Sequence, residues 1–242
     1  MFHNSVSRKL FGFTMAVALI LAGSVGGYGE KKGNPNPGVL PPQSHAFGKT
    51  LGEWDAASYS TMFGTPLSKL MLDKGWQMGR IWALPNMPGV NTKTLPPGLA
   101  IYVPIGTWAT VPPFDDAAAI ARDWMKLTQP EIDALTPEEL SRITAVWMGK
   151  NTITEVSCTI DGRPVENPYQ YWYESPTFYC LIDPSWGVCP SSEACISGPA
   201  ASAGYGLILA PLSVGVHEIS FHYCAVIYGF CWDVTWLLTV GK

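Results

Sequence analysis

The chain of 242 residues has few charges, and its first 157 residues contain no cysteine. Charged residues make up 14% of the chain, well below the roughly 25% that is usual for a soluble domain. The formal net charge is only −4, so the sequence lacks the basic surface of a nucleic-acid-binding protein. The 24 Gly and 21 Pro are too many for a helical bundle, and the 10 Trp, 10 Tyr and 9 Phe are too many for a disordered chain. The composition favours a mainly β, aromatic-rich globular protein.

Recognisable catalytic and cofactor motifs are also missing. The sequence has no G-x-S-x-G nucleophile elbow, no H-E-x-x-H zinc motif, no P-loop, no G-x-G-x-x-G and no EF-hand loop. No C-x-x-C pair gives the spacing of a zinc ribbon or a thioredoxin-like redox site. The sequence therefore predicts no cofactor and no metal site.

The N-terminus has the pattern of an export signal. Arg8 and Lys9 precede an apolar run at residues 10–22, which is short for a membrane span, and small residues follow it. We expect a signal peptide at 1–26, and a retained membrane anchor is the alternative. An even number of cysteines agrees with export. We therefore expect a secreted, periplasmic or extracellular protein with no membrane span in the mature chain; its oligomeric state stays open.

The rest of the chain divides into an arm and one domain. Residues 27–50 are rich in Pro and Gly and predict an extended arm. Residues 51–242 predict a single domain that begins with a short helix at 51–63. A helical insertion is expected at about 114–149, where capping boxes begin at Thr128 and Thr136.

Strands dominate the C-terminal part of the sequence. From residue 151 onward apolar residues alternate with polar ones, and Gly and Pro separate the short runs. Val234, Trp236, Leu238 and Val240 share one predicted inward face. Together with a strand at 99–105, this pattern predicts a mainly β fold, specifically an antiparallel β-sandwich of the jelly-roll or immunoglobulin-like kind.

Several scattered motifs carry a family resemblance. They are PPQS at 41–44 with FGKTLGEW at 47–54, LPPGLAIYVPI at 95–105, DGRPV at 161–165 with SPTF at 175–178, and LAPLSVGVHEI at 209–219. Together these motifs resemble a family of uncharacterised secreted bacterial proteins. The chain departs from a Trp-rich stretch expected after Trp54, where it reads Ser58-Tyr59-Ser60-Thr61. The resemblance implies export and a β-rich fold, and it assigns no catalytic residue.

An aromatic stretch is the best candidate for a binding site. The candidate residues are Tyr169, Tyr171, Trp172, Tyr173 and Glu174. In an extended chain the three tyrosines would share one face, and flat rings beside polar groups suit a sugar. The alternative is that the rings pack on the fold and keep only their polar tips in water. The sequence thus favours a non-catalytic exported module that binds a glycan or another envelope component.

A secreted hydrolase remains the alternative function, with catalytic residues too far apart in sequence to recognise. His217 and His222 are five residues apart on a predicted strand, so they should lie on opposite faces and cannot share a metal ion. We expect His217 to be a structural residue bonded to the preceding turn and His222 to be solvated.

The six cysteines predict a disulfide framework. Sequential pairing is preferred, because two of the pairs are close in sequence and the third pair lies on apolar strand faces. The expected bridges are Cys158–Cys180, Cys189–Cys195 and Cys224–Cys231. The rival scheme connects the loop that contains Cys189 and Cys195 to the last hairpin.

Overall fold

The computed structural model of the chain describes residue 36 and residues 38–241, apart from the side chain of residue 228. The expected signal peptide at 1–26 and the beginning of the arm lie outside this part of the chain. The strands that it contains are β1 (Trp76–Met78), β2 (Ile81–Ala83), β3 (Gly89–Leu95), β4 (Ala100–Thr110), β5 (Ile153–Ile160), β6 (Arg163–Pro164), β7 (Trp172–Glu174), β8 (Leu181–Ile182), β9 (Cys195–Ile196), β10 (Ala201–Leu209), β11 (Gly215–Ala225) and β12 (Phe230–Val240).

These strands form two five-stranded sheets and one small hairpin. The first sheet has the order β1-β2-β4-β10-β7, the second has the order β3-β12-β11-β5-β6, and β8 pairs with β9. Both large sheets contribute side chains to one apolar cluster. The fold is therefore mainly β, as the composition predicts.

The expectation of purely antiparallel sheets is wrong. β2 is parallel to β4, and β3 is parallel to β12. Consecutive strands β3 and β4 belong to different sheets, so the short connection at 96–99 carries the chain from one sheet to the other. β3 therefore pairs with the last strand of the chain instead of its neighbour in sequence. Sequence patterning missed β3, since residues 84–98 resemble a loop in their Pro and Gly content.

Within residues 38–241, five α-helices accompany the sheets. They are α1 (Leu51–Phe63), α2 (Leu67–Asp73), α3 (Ala117–Asp123), α4 (Gln129–Asp133) and α5 (Pro137–Thr152). The bounds of α1 match the prediction, and a capping box between Thr50 and Glu53 begins it. The predicted capping boxes at Thr128 and Thr136 begin α4 and α5. Local side-chain hydrogen bonds thus fix these helix starts, as the sequence indicates.

The described part of the arm packs along the first sheet. Val39 forms an isolated bridge with Leu209 of β10, and a single 3-10 turn occupies Ala46–Gly48. Asn36 is buried and donates a hydrogen bond from Nδ2 to the hydroxyl of Tyr171. The arm is irregular, as its composition predicts, but it is bound to the fold by backbone and side-chain contacts.

Two of the three expected disulfides are present. Cys189 pairs with Cys195, and Cys224 pairs with Cys231. The expected Cys158–Cys180 bridge is wrong, because both residues are buried free thiols. Cys158 lies on β5 in the large apolar cluster, while Cys180 belongs to a second, smaller one. Burial raises the pKa of Cys158 to about 12, so that its thiol stays protonated.

Candidate functional site

A cavity of about 300 Å³ lies beside α1 and the first sheet. Its wall combines aromatic and other apolar side chains with a few polar groups. The lining residues are Asp55, Ser58, Tyr59, Met62, Trp76, Pro85, Asn86, Pro104 and Thr107. An apolar pocket with a small number of convergent polar groups is the usual form of a small-molecule site.

Asp55 lies on the buried face of helix α1. Leu51, Trp54, Asp55 and Ser58 are all buried, and their spacing of three and four residues puts them on one helix face. The sequence analysis did not select Asp55. The signal was nevertheless present, since a carboxyl group at a core-facing position of an amphipathic helix is unusual and needs a partner.

Asp55 is the centre of a buried polar cluster. The hydroxyl of Tyr102 donates a hydrogen bond to Oδ1 of Asp55 over 2.5 Å, and the hydroxyls of Tyr102 and Tyr173 are 3.3 Å apart. Burial raises the pKa of Asp55 to about 6, against the opposing effect of hydrogen bonds from Ser202, Tyr102 and Tyr173. No cationic side chain in the described part of the chain contributes to this pKa. The carboxylate is therefore buried without a counter-charge.

Two acceptor atoms near the cavity have unused hydrogen-bonding capacity. Oδ2 of Asp55 and Oδ1 of Asn86 are both buried, and neither has a partner at hydrogen-bond geometry within residues 38–241. Asn86 is nevertheless close enough to the Tyr223 hydroxyl to lower the pKa of that tyrosine, against the larger effect of burial, which raises it. The Ser202 hydroxyl also lacks such a partner, although it is close enough to lower the pKa of Asp55. An unpaired buried acceptor is costly, so a ligand that donates hydrogen bonds at this wall would be favoured.

The predicted aromatic stretch does not form a binding face of three tyrosines. Tyr171 and Tyr173 are only 1% and 5% exposed, so both are core residues. The alternation that would have put the tyrosines on one surface fails, because Pro168–Tyr171 is a 3-10 turn rather than a strand. The Tyr171 hydroxyl receives the hydrogen bond from Asn36, and Tyr173 belongs to the Asp55 cluster.

The rest of the stretch lies at the surface, where its rings contact neighbouring side chains. Tyr169 and Trp172 both pack edge-to-face against Tyr205. The ammonium group of Lys150 lies 5.3 Å from the Trp172 ring centroid and 3.2 Å from a carboxylate oxygen of Glu174. Trp172 therefore contacts Tyr205 on the fold and Lys150 over its ring, while Tyr169 stays 49% exposed.

His217 lies between an aspartate and a serine, as the histidine of a serine-hydrolase triad does, but its hydrogen bonds differ from those of a catalytic histidine. Its Nδ1 is 2.8 Å from Oδ2 of Asp161, and its Nε2 is 3.3 Å from Oγ of Ser213 and 2.9 Å from the Ser213 carbonyl oxygen. A carboxylate and a carbonyl only accept hydrogen bonds, so both ring nitrogens donate. The hydrogen bond with Asp161 raises the pKa of His217, which favours the imidazolium form. His217 thus holds the turn at Ser213 by a hydrogen bond, as expected. Because both of its ring nitrogens carry protons, it has no nitrogen that can act as a base.

Comparison with known proteins adds no relative. No protein-family model matches the chain, and neither the curated proteins nor the solved structures give a significant match.

No helix in the described part of the chain is both long and apolar enough to cross a membrane.

Proposed function

We propose that this protein is an exported, non-catalytic binding protein that holds a small organic cation in the cavity beside α1. The observation that carries the proposal is Oδ2 of Asp55, a buried acceptor without a partner or a counter-charge, in a residue that lines the cavity. An ammonium group donates several hydrogen bonds and accepts none. It would supply the counter-charge that Asp55 lacks and a donor for its unpaired oxygen.

The rest of the wall suits the apolar part of such a ligand. Tyr59 and Trp76 line the cavity, and aromatic ring faces attract cations as well as apolar groups. A volume of about 300 Å³ is at the lower end of the range for ligand pockets. The proposed ligand is therefore a small amine or quaternary ammonium compound rather than an oligosaccharide.

The other function classes have weaker support. A glycan site at Tyr169, Trp172 and Glu174 would have to displace Lys150, whose ammonium group lies over the Trp172 ring and beside Glu174. A hydrolase would need a nucleophile with an available base, and the cavity wall as described contains one carboxyl group and no histidine. A binding function fits a single carboxylate among apolar groups better than catalysis does.

Export and a sandwich architecture complete the proposal. The basic and apolar pattern at residues 1–26 and two disulfides support export to an oxidising compartment. The shared apolar cluster supports packing of the two large sheets as the layers of a β-sandwich. N-terminal sequencing of secreted protein should give a first residue near Gly27, and an intact Met1 in membrane fractions would contradict export.

Binding can be tested by calorimetry with choline, a short diamine and an arylalkylamine, each compared with a neutral alcohol of similar shape. At least one amine should bind while its alcohol does not, and Asp55→Asn should weaken binding at least tenfold. Binding should also weaken from pH 7.5 to pH 5, because Asp55, with a pKa of about 6, becomes protonated over that interval. Asp115→Asn is the matched control, since Asp115 is also a partly buried carboxyl group with a raised pKa but does not line this cavity. Equal affinity in the Asp55 variant, or no binding by any amine, would contradict the proposal.

A further inference from the structure

The end of the β11–β12 hairpin holds a second set of reactive groups, none of which lines the α1 cavity. His222 and Cys224 are two residues apart on β11, so they point to the same side of the sheet. Asp233 and Cys231 lie directly opposite them on β12. The hairpin register therefore brings four polar or sulfur-containing side chains onto one surface.

Strand β5 adds a carboxylate to this surface. The pairing of β5 with β11 shifts register between His222 and Cys224, which marks a β-bulge. Glu155 lies on β5 beside this irregularity and has a positive φ of 56°. Donor atoms of Glu155, His222, Cys224 and Cys231 all lie within 4.8 Å of one another. Such an arrangement has the donor number and the compactness of a four-coordinate metal site.

We propose that reduction of the Cys224–Cys231 disulfide creates a zinc site with the ligands Cys224, Cys231, His222 and Glu155. Two thiolates, one imidazole and one carboxylate are ligands that Zn²⁺ accepts in tetrahedral geometry. In the disulfide form the two sulfurs are bonded to each other, so the site is closed to metal.

The reaction that opens the site is thiol–disulfide exchange with a dithiol reductant. A thiolate of the reductant attacks one sulfur of the Cys224–Cys231 bond and releases the other as a thiolate. The second thiolate of the reductant then attacks the reductant's own sulfur in the mixed disulfide, which closes the reductant's disulfide and releases the second cysteine as a thiolate. Two electrons pass to the protein, the reductant becomes a disulfide, and binding of Zn²⁺ releases the protons of any thiols that are still protonated. Cys231 and Glu155 are exposed, which gives the reductant and the ion access.

His222 is already oriented as a zinc ligand. Its Nδ1 is 2.8 Å from Oδ1 of Asp233, and its Nε2 is 3.6 Å from Sγ of Cys224. A metal-bound histidine usually donates its second ring N–H to a carboxylate, which fixes the ring and its tautomer. Asp233 is therefore the positioning residue of the site, and Nε2 is the atom left to bind the ion.

Sequence spacing could not reveal this cluster. The ligands come from three strands, and the seven-residue interval between the two cysteines matches no common zinc motif. His217 and His222 both lie on β11, an odd number of residues apart. Their side chains are therefore on opposite faces of the sheet, where they cannot share one metal ion. The proposed site instead uses one histidine with partners that only the strand register supplies.

A cobalt titration of the full-length protein tests the proposal. The protein is reduced with a phosphine, and Co²⁺ is added under anaerobic conditions. We expect one Co²⁺ per chain, with the visible bands of tetrahedral Co²⁺ and a thiolate-to-cobalt charge-transfer band, and we expect Zn²⁺ to displace it. The unreduced protein should show neither band. His222→Ala and Glu155→Ala should each weaken binding at least tenfold, and Asp233→Asn should weaken it by about 10-fold to 100-fold.

Controls distinguish this site from the other thiols. Glu218→Ala, on the same strand but outside the cluster, and the double variant Cys189→Ser/Cys195→Ser should both keep full binding. In the unmutated protein, Zn²⁺ should protect Cys224 and Cys231 from alkylation after reduction, while Cys189 and Cys195 react, so that the test does not depend on variants that fold. Cobalt bands that survive loss of Cys224 and Cys231, alkylation that Zn²⁺ does not slow, or no uptake of either ion would overturn the proposal.

Discussion

Asp55 shows how one side chain can couple a ligand site to stability. Its pKa is raised from 3.8 to about 6 in the folded protein, so the folded state holds this proton more strongly than the unfolded chain does. Stability is therefore expected to fall as the pH rises from about 4 to about 6, and to remain at the lower level above that interval. A carboxylate that costs stability and has no cationic partner is more easily explained by a ligand than by packing.

Replacing Asp55 with Asn should remove this pH dependence. The amide keeps the shape of the side chain and the acceptor for Tyr102, but it cannot ionise. Above pH 6 the variant should gain up to about 3 kcal/mol relative to the unmutated chain, as a shift of about two pKa units implies. Urea unfolding at pH 4, 5, 6 and 7.5 measures the difference, with the exposed Asp123→Asn as control. Parallel stability profiles for Asp55→Asn and the unmutated chain would contradict the assignment.

The His217–Asp161 pair should stabilise the fold within a limited pH window. Hydrogen bonding to Asp161 raises the pKa of His217 above 6.5. Burial would raise the pKa of Asp161, but hydrogen bonds from His217 and from the Glu218 backbone outweigh it and hold that pKa below 3.8. The stabilisation is therefore complete between about pH 4 and pH 6.5. It is lost as the pH rises through the raised pKa of His217 or falls through the lowered pKa of Asp161.

This trend can be measured with His217→Gln. The melting temperature of the variant should be lower than that of the unmutated chain at pH 5.5, and the gap should narrow at pH 8.5. The exposed His45→Gln serves as the control and should show no such gap. A gap that is constant from pH 5.5 to pH 8.5 would mean that the clamp does not depend on the charge of His217.

At the scale of elements, close approach between helices and the first sheet selects small residues. The buried face of α5 is formed by Ser141, Thr144, Ala145 and Met148. The spacing of apolar residues in the sequence instead favours a face with the larger Leu140, Ile143 and Trp147 beside Thr144. Those three larger residues are only partly buried, because the tight contact is made by the smaller side chains. The buried hydroxyls have carbonyl acceptors, since Thr144 donates to Leu140 within the helix and Ser141 donates to Pro199 in a distant loop.

Gly52 of α1 lies very close to strand β7, so a larger side chain at this position should destabilise the protein. A Cβ at this position would lie 2.2 Å from the carbonyl oxygen of Glu174 on β7. Gly52→Ala should destabilise the protein by about 1–3 kcal/mol, although alanine is the better helix former by about 1 kcal/mol. Gly241→Ala, where the added Cβ meets nothing within 4 Å, should be nearly neutral. Chemical denaturation compares the two variants, and a stabilised Gly52→Ala would contradict the described contact between α1 and β7.

At the scale of the whole molecule, one apolar cluster unites the two large sheets. Trp236 on β12 is completely buried in it, and its indole N–H donates to the carbonyl of Pro85 over 3.3 Å. Trp236→Ala should cost about 3–5 kcal/mol. Trp124→Ala, at a position that is 46% exposed, should cost less than about 1 kcal/mol. Equal losses in a denaturant titration would contradict a central role for Trp236.

The sequence by itself determined the features that depend on neighbours in the chain. Capping boxes fixed the start of α4 and α5, the terminator Gly64 fixed the end of α1, and period-two alternation placed Trp236 inside. The two short-range disulfides could also be predicted from the sequence, because the paired cysteines are only six or seven residues apart in one loop or hairpin. These interactions join residues that are close in sequence, so residue type and spacing are enough to predict them.

Only the tertiary structure decided which distant residues meet. The parallel pairing of β3 with β12, the separation of Cys158 from Cys180 and the burial of Asp55 beside Tyr102 all join segments that no local pattern connects. The same holds for Glu155, which reaches the reactive end of the hairpin through a bulge in β5. Such contacts depend on how the sheets pair and pack as a whole, because one change in register moves every side chain of a strand to the other face.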